Sequence, residues 1–345
     1  MSYSKKFFGK LANGEDVYLH TLSSQDFSFS LMDLGACITN IILDKKLDVV
    51  SGFDNVTPYE GKCGSMGFTV GRYANRIANA EFTLNKVKYQ LSKNDGENTL
   101  HGGINNFTKK LFEIKYDNTE NECLICHTNS SDGEEGYPGN LDFTVKFTLI
   151  KPSTIRIEYY ASTDKDTIVN FTNHSYFNLN GHDDGSILNH NLEVNADYVL
   201  DIKKDLIPTG KLNDVSGTLF DFRKKKKISE VIDHLDENQL IAFAQGLDHN
   251  FCVNDRMQKK HIATLYADKN EWKMNVYTDQ PGVQVYTANT TNIPGGKNNA
   301  HYGKYSFVCL ETQHYPDSIN HENFPSVVLK PGDDFYSITE YEFIK

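Results

Sequence analysis

The chain has 345 residues and a formal net charge of −11 at pH 7. This acidic balance argues against nucleic acids and anionic membrane surfaces as partners, because both attract basic patches. The one basic run, residues 223–227, is typical of a solvated loop. The N-terminus lacks an apolar stretch of signal-peptide length, and no later window reaches the ~20 apolar residues of a membrane span. A cytoplasmic protein is therefore expected.

Cysteine and histidine spacing indicates neither a disulfide framework nor a metal site. Cys123 and Cys126 form a Cys-x-x-Cys motif, but no second pair follows at zinc-ribbon spacing. None of the 12 histidines pairs with another at the ligand spacing of a helix within a helical segment. Free buried thiols are therefore predicted, and no metal or other cofactor is expected.

Short apolar–polar alternations separated by turn clusters predict β-strands along the chain. The earliest is residues 27–31, Phe-Ser-Phe-Ser-Leu, and a second strand, residues 37–43, follows Gly35. Residues 143–149 place apolar side chains at every second position, which predicts a half-buried strand. Further strands are predicted at 154–160, 262–267, 272–278, 283–287, 305–312 and 335–344.

Helical patterning is scarce in this sequence. Residues 229–235 predict one short helix and residues 57–61 a single turn. No repeat, low-complexity tract or linker divides the chain. The pattern therefore predicts an all-β protein with a single domain over residues 1–345, most simply a large antiparallel β-sandwich.

Residues 170–179, Asn-Phe-Thr-Asn-His-Ser-Tyr-Phe-Asn-Leu, concentrate hydrogen-bonding side chains in a segment whose flanks favour a strand. In a strand, His174 and Tyr176 would share one face. A histidine among hydrogen-bonding neighbours can donate or accept a proton near neutral pH. A buried structural histidine with a carboxamide partner is an equal alternative for this run alone.

Three further stretches carry polar residues within the β pattern, and each has two interpretations. In residues 71–77, Arg72 and Arg76 suit either a ligand site or an internal ion-pair clamp. His101 precedes two glycines, which allow the backbone either to approach a ligand closely or simply to turn. Asp248 could bridge two sugar hydroxyls or close a loop through hydrogen bonds.

Glu311 is the most unusual of the polar residues. On the predicted strand 305–312 it shares a face with Phe307 and Cys309, and it ends an otherwise apolar segment. A carboxylate in such a place is costly unless it is paired or used. Desolvation would raise its pKa towards the working range of a general base.

The motifs of other catalytic classes are missing from the sequence. It has no Gly-x-Ser-x-Gly elbow, no P-loop, no His-Glu-x-x-His and no Gly-x-Gly-x-x-Gly after a strand. Asn, Asp, Glu, Arg and His beside aromatic residues match what a neutral sugar requires, namely many hydrogen bonds and a stacking face. A two-carboxylate glycosidase using Asp248 and Glu311 stays open, because the sequence does not fix their separation.

Eight segments stand out when they are taken in order along the chain: residues 71–77, 100–103, 134–139, 173–179, 221–223, 248–251, 281–284 and 310–313. Together they resemble the motif set of the aldose 1-epimerases, or galactose mutarotases. The similarity covers nearly the whole chain. One departure is Leu111-Phe112, where the family often has a tryptophan, and it concerns local packing.

The resemblance implies roles for individual residues. Glu311 is expected to be the general base, His174 the general acid, and His101 an assisting group near the ring oxygen. The residues expected to bind sugar hydroxyls are Asn75, Arg76, Ser175, Tyr176, Asp248 and Gln284. The resemblance also implies a galactose mutarotase-like supersandwich, which is a β-sandwich of many strands, and an isomerase without a cofactor.

The implied activity is interconversion of the α and β anomers of a free aldohexose such as galactose or glucose, by a monomer or homodimer. Two alternatives use the same fold. A hexose-6-phosphate epimerase would need a basic phosphate pocket, which the acidic composition disfavours. A non-catalytic sugar-binding protein would have no need for Glu311, His101 and His174 together.

Overall fold

The computed structural model describes residues 2–61, 63–150, 152–254 and 258–345. In these ranges strands far outnumber helices, and the strands of the three largest sheets pair antiparallel. The β-branched and aromatic residues of these segments favour strands. The predicted all-β class and the antiparallel sandwich are confirmed.

The strands are numbered in chain order. The first half contains β1 (Ser2–Lys10), β2 (Asp16–Ser23), β3 (Phe27–Met32), β4 (Cys37–Leu43), β5 (Leu47–Asp48), β6 (Thr69–Val70), β7 (Arg76–Ile77), β8 (Glu81–Leu84), β9 (Val87–Gln90), β10 (Thr99–Leu100), β11 (Glu113–Asp117), β12 (Cys123–Ser130), β13 (Leu141–Ile150) and β14 (Thr154–Thr163). The second half contains β15 (Thr167–Ile168), β16 (Thr172–Asn173), β17 (Asn191–Val194), β18 (Ala196–Ile202), β19 (Pro208–Asp214), β20 (Lys226–Lys227), β21 (Asp248–Val253), β22 (Lys260–Tyr266), β23 (Lys273–Thr278), β24 (Gly282–Tyr286), β25 (Cys309–Gln313), β26 (Val328–Leu329) and β27 (Phe335–Ile344).

Helical structure in the described ranges is short. The α-helices are α1 (Ser229–Ile232) and α2 (Gln239–Ala244). Single 3₁₀ turns are formed by Thr57–Glu60, Ala78–Ala80, Phe107–Lys109, Glu134–Gly136, Lys297–Asn299 and Ser318–Asn320. None of these helices is long and apolar enough to cross a membrane.

Three large sheets share one hydrophobic core. The largest has nine strands in the order β11-β12-β13-β14-β27-β23-β22-β17-β20, and the other two have five strands each, ordered β1-β2-β3-β4-β5 and β19-β18-β21-β24-β25. The main cluster of buried apolar residues includes Phe29 from β3, Phe143 from β13 and Phe251 from β21. Each sheet therefore turns one face towards the same core.

The sheet ordered β19-β18-β21-β24-β25 carries polar residues on its other face. Directly opposite residues of antiparallel strands point to the same side, and so do residues two apart in one strand. Pairing across β21, β24 and β25 therefore aligns three rows, which we call the polar face. The rows are Asp248, Tyr286 and Cys309; Asn250, Gln284 and Glu311; and Cys252, Gly282 and Gln313.

Two of the predicted strands differ from the structure. Of residues 170–179, only Thr172–Asn173 form a strand, paired with β6, and the irregular remainder is held by separate backbone bonds. Residues 305–308 precede β25, so Glu311 lies in the middle of a strand rather than at its end. Strand propensity does not determine which residues find a pairing partner, and Tyr305, with a φ of 60°, lies in a turn rather than in an extended segment.

The remaining predicted elements are present, strands 37–43 and 335–344 with the predicted ends and the others with shifted ends. The helix predicted at 229–235 ends at Ile232, and the turn predicted at 57–61 is the 3₁₀ turn Thr57–Glu60. Helix α2 was not predicted, because six residues are too few to show a helical period. All six cysteines are buried thiols, as predicted.

Candidate functional site

A polar cavity of about 380 Å³ lies against the polar face. The elements that form it are far apart in the sequence and include β7, the turn after β10, the segment after β16, and strands β21 and β25. Seven residues that the sequence singled out line it: Asn75, Arg76, His101, His174, Tyr176, Asp248 and Glu311. A concave site where distant polar segments converge is the expected place for ligand binding or catalysis.

Glu311 and His174 approach each other within this cavity. Nε2 of His174 lies 3.4 Å from Oε1 of Glu311, and both residues are buried. The N–H of His174 donates to the carbonyl of Phe68, and the carbonyl of His174 accepts from the N–H of Gly67, at 2.9 Å each. Strand β25 on one side and these backbone bonds on the other hold the two side chains at a fixed separation.

Burial shifts the proton affinities of this pair in opposite directions. Desolvation raises the pKa of Glu311 well above its usual range, and the nearby Asp248 raises it further while Arg76 opposes the shift. Desolvation lowers the pKa of His174 to about 4. Both shifts favour the uncharged form of each group, so a proton shared by this pair is held by Glu311 rather than by His174.

Aromatic rings fix the orientation of the His174 imidazole. The ring of Tyr176 stacks on it, with centroids 5.1 Å apart and planes 15° from parallel. The ring of His101 meets it edge-on, also at 5.1 Å, and the ring of Tyr286 does so at 6.4 Å. The predicted proximity of His174 and Tyr176 is thus present, although the segment is not a regular strand.

A backbone contact sets the tautomer of His101. The N–H of Asn75 donates to Nδ1 of His101 at 3.1 Å, and the N–H of His101 donates to the carbonyl of Asn75 at 3.1 Å. A ring nitrogen that accepts a hydrogen bond carries no proton, so neutral His101 carries its proton on Nε2. Burial first, then the charges of His174 and Arg76, lower the pKa of His101 well below its usual range. His101 is therefore a neutral N–H donor.

His101, His174 and Glu311 meet the distance requirement for a metal site, since one ligand atom of each lies within 4.8 Å of the others. The sequence did not show this grouping, because the residues come from three segments rather than from one helix. The donor set nevertheless fits a metal poorly. A metal at Nε2 of His101 would need a lone pair where the tautomer set by Asn75 places a proton.

Arg76 and Asp248 are the two further charged groups on the cavity wall. Nε of Arg76 donates to Oδ2 of Asp95 at 2.8 Å. Nε2 of Gln284 donates to Oδ1 of Asp248 at 2.6 Å. Each contact orients the charged group and leaves it with unused hydrogen-bonding positions, because guanidinium and carboxylate groups can each form several bonds. Both side chains can therefore bind ligand hydroxyls without losing their supports.

A sequence model of the family described as aldose 1-epimerase matches residues 18–342. The chain belongs to the aldose 1-epimerase family. The galactose mutarotase of Bos taurus is 38% identical over 349 residues, which cover 99% of each chain. The aldose 1-epimerase of Escherichia coli K12 is 34% identical over 341 residues and 96% of each chain. The solved galactose 1-epimerase from Lactobacillus acidophilus matches with a TM-score of 0.87 and 26% identity, over 99% of this chain and 98% of that one.

Membership of the aldose 1-epimerase family confirms the resemblance found in the sequence and the supersandwich fold that it implied. The departure from the family pattern at Leu111-Phe112 is a matter of packing. Leu111 packs against the cluster that contains Leu34, and the buried Phe112 meets the ring of Phe107 edge-on.

Two of the predicted sugar-binding residues do not line the cavity. The hydroxyl of Ser175 donates to Oδ1 of Asn173 at 2.6 Å, and Nδ2 of Asn173 donates to the carbonyl of Gly67 at 3.0 Å. Ser175 thus secures the segment that carries His174. Gln284 is buried behind Asp248 and orients it. The structure supports an indirect role for both residues.

The sequence patterns did not single out several other residues of the cavity wall, including Leu206, Phe243, Tyr286, Asn289 and Thr290. Tyr286 could have been found, since it lies two residues after Gln284 on the same strand and so on the same face. Phe243 belongs to α2, the helix that is too short to show a helical period in the sequence.

Arg72 resolves the two interpretations of residues 71–77. Its guanidinium is buried and donates to the carbonyls of Ser130, Pro138 and Gly139 at 2.9 Å each. Arg72 is therefore a structural clamp made of hydrogen bonds to neutral groups, whereas Arg76 faces the cavity. The epimerase-like motif at 134–139 supplies part of this clamp.

Proposed function

We propose that this protein is an aldose 1-epimerase that interconverts the α and β anomers of free aldohexoses such as galactose and glucose. The observation that supports this most strongly is the buried pair of His174 and Glu311, 3.4 Å apart at a polar cavity. Ring opening needs a base at the C1 hydroxyl and an acid at the ring oxygen. In the proposal Glu311 is the base and His174 the acid.

The pair needs only one proton to work in both directions. During opening, ionised Glu311 takes the proton of the C1 hydroxyl, and protonated His174 gives its proton to the ring oxygen. The bond between C1 and the ring oxygen breaks and the aldehyde forms. After rotation about the C1–C2 bond, His174 takes the proton back and Glu311 returns its proton as the ring closes. The pair therefore ends as it began.

Binding of the sugar favours the reactive state of the pair, in which Glu311 is ionised and His174 is protonated. Without a sugar, desolvation raises the pKa of Glu311 and lowers that of His174, which favours the proton on Glu311. That arrangement is the one that follows ring opening. A C1 hydroxyl that donates to the Glu311 carboxylate stabilises its ionised form, and a ring oxygen that accepts from His174 stabilises the imidazolium. His101 contributes its Nε2–H as a neutral donor near the ring oxygen.

The charges of the cavity favour free sugars over sugar phosphates. Arg76 is the one arginine or lysine among the described residues that line it, and Asp95 already pairs with Arg76. The same wall carries the carboxyl groups of Asp248 and Glu311. A phosphate dianion would gain little attraction there, so this observation speaks against the hexose-6-phosphate epimerase.

The buried carboxyl group favours an enzyme over a sugar-binding protein. A glutamate whose pKa is raised by folding reduces stability at neutral pH, because it ionises more readily in the unfolded chain. A binding protein could use glutamine at position 311 without this cost. Catalysis gives the carboxyl group a reason to be there.

Epimerase activity is expected to survive prolonged treatment with EDTA unchanged. The reason is the tautomer of His101, which places a proton where a metal would bind. The rate of mutarotation is measured before and after treatment and after addition of Zn²⁺. A loss of activity that Zn²⁺ restores would contradict the assigned tautomer and the proton-transfer role of His174.

Replacing Asp248 or Arg76 with alanine is expected to raise KM for galactose by about 10-fold or more, the size of a lost hydrogen bond to a charged group. The value of kcat falls as well if the sugar is misaligned. The matched control is Arg156→Ala, which removes an arginine that pairs with Glu340 on the nine-stranded sheet. If KM is unchanged in both cavity variants, the proposed binding residues are wrong.

A further inference from the structure

The polar face contains buried polar atoms that the proposed mechanism does not use. They belong to Asn250, Gln284 and Glu311, which form one row, and to Gln313 in the next row. All four residues are buried. Within the described part of the chain, the atoms without a hydrogen-bond partner are Oδ1 of Asn250, Oε1 of Gln284, Oε2 of Glu311, and both Oε1 and Nε2 of Gln313.

Most of these unpaired atoms are hydrogen-bond acceptors rather than donors. Buried polar atoms are nearly always hydrogen-bonded, so a group of unpaired atoms on one face needs an explanation. Four of the atoms are oxygens that accept hydrogen bonds, and Nε2 of Gln313 is the one donor among them. A leucine or methionine would fill the space of Gln313 without leaving polar atoms unpaired. Gln313 is therefore placed to serve an acceptor.

The strand geometry puts Glu311 within reach of Gln313. The two residues are two positions apart on β25 and point to the same face. Gly282 stands opposite Gln313 on β24, and its missing side chain lets the Asn250 amide lie close to this row, since a Cβ at Gly282 would be only 2.7 Å from Oδ1 of Asn250. Gln284, directly opposite Glu311, adds its own unpaired oxygen. Oε1 of Glu311 lies 3.4 Å from Nε2 of His174, and Oε2 is the oxygen that is buried without a hydrogen-bond partner.

We propose that Gln313 is a positioning residue for Glu311, donating an N–H hydrogen bond to Oε2 of the ionised carboxylate directly or through one buried water. A water there would also donate to Oε1 of Gln284, which supplies the further partner that a buried water requires. The bond stabilises the ionised form of Glu311 before ring opening and keeps Oε1 towards the sugar. Its catalytic meaning rests on the proposed epimerase function.

Other ionisable groups also affect the ionisation of Glu311, and their effects must be distinguished from the effect of Gln313. They are His174 and Tyr176 from the segment after β16, His101 from the turn after β10, Arg76 from β7, Asp248 from β21, Tyr341 from β27 and Cys309 from β25 itself. None of these groups forms a hydrogen bond to Oε2 in the described ranges. A variant at Gln313 leaves them all in place.

Gln313→Met keeps the length of the side chain and removes the donor. The ionised form of Glu311 then loses stabilisation, so its pKa rises. The pair loses its shared proton on the alkaline limb of the pH profile of kcat/KM. We expect this limb to move to higher pH by about one to two units, which corresponds to the free energy of a hydrogen bond to a charged group. The value of kcat on the plateau is expected to fall about 10-fold, with KM unchanged.

Two further variants separate positioning from structure. Gln280→Met is the matched control, because Gln280 is also buried but its Oε1 lies 2.8 Å from Nδ1 of His314, outside the cavity lining. Its alkaline limb should not move. Gln313→Asn keeps a shorter amide and should give a smaller shift than Gln313→Met. A limb that stays in place in folded Gln313→Met, or that moves equally in all three variants, overturns the proposal.

An activity-free measurement distinguishes this proposal from the proposed function. Isotope-edited infrared titration follows the Glu311 carboxyl, which is assigned by its loss in Glu311→Gln. A higher pKa in Gln313→Met than in the wild type supports the hydrogen bond even if no sugar is turned over, in which case the epimerase function alone fails. An active wild type with the same carboxyl pKa in both proteins overturns the role of Gln313 alone.

Discussion

Replacing Glu311 with glutamine is expected to lower kcat by ~10²-fold or more, with KM for the sugar nearly unchanged. Glutamine keeps the shape and hydrogen-bonding capacity of the side chain, but it cannot take up the proton of the C1 hydroxyl. Initial rates of mutarotation over a range of galactose concentrations give both constants.

The variant should fold at least as well as the wild type. Folding raises the pKa of Glu311, so the wild type loses folding free energy as pH rises from the usual pKa of glutamate towards the raised value. Glu311→Gln has no such loss. The matched control is Glu340→Gln, which removes a buried carboxylate that pairs with Arg156 and Lys259, and its kcat should be close to that of the wild type. A folded Glu311→Gln protein that retains most of its rate would mean that the base lies elsewhere.

His174→Asn is expected to cause a comparable loss of kcat, because asparagine cannot give a proton to the ring oxygen. The double variant with Glu311→Gln should lose less than the product of the two single losses, since the residues act as one unit. Both effects are measured with the same rate assay. Fully additive losses would indicate two independent contributions rather than a pair that shares one proton.

His190→Asn provides the control for His174→Asn. Nδ1 of His190 lies 2.8 Å from Oδ1 of Asp268, and burial lowers the pKa of His190 to about 4, as it does for His174. His190 does not line the cavity, and its Nε2 accepts from the N–H of Leu179. Its replacement should reduce stability without lowering kcat of the folded protein. An equal loss of kcat in both variants would contradict the role of His174 as the general acid.

The sequence predicted the fold well where one face of a strand is buried. In β13, Phe143, Val145 and Phe147 are fully buried while Asp142 is exposed, and this alternation is visible in the sequence itself. Residues 170–179 were harder. Their aromatic and β-branched residues favour extended structure, but pairing with β6 ends after Asn173 because the chain then turns to other backbone partners.

The candidate site was predicted as a set of segments rather than as a geometry. Sequence patterns singled out His101, His174 and Glu311, yet their mutual distances depend on contacts between residues far apart in the chain. The tautomer of His101 is one example, because it follows from the N–H of Asn75, 26 positions earlier. Gln313 is another, since its neighbours become evident only from the register of β24 and β25.

Polarimetry of freshly dissolved α-galactose tests most directly whether this protein opens and recloses the sugar ring. With a catalytic amount of wild-type protein, the optical rotation is expected to reach the same final value as in buffer but at a clearly faster rate. The Glu311→Gln protein at the same concentration should follow the buffer curve closely. A wild-type curve that coincides with the buffer curve would contradict the proposed epimerase function.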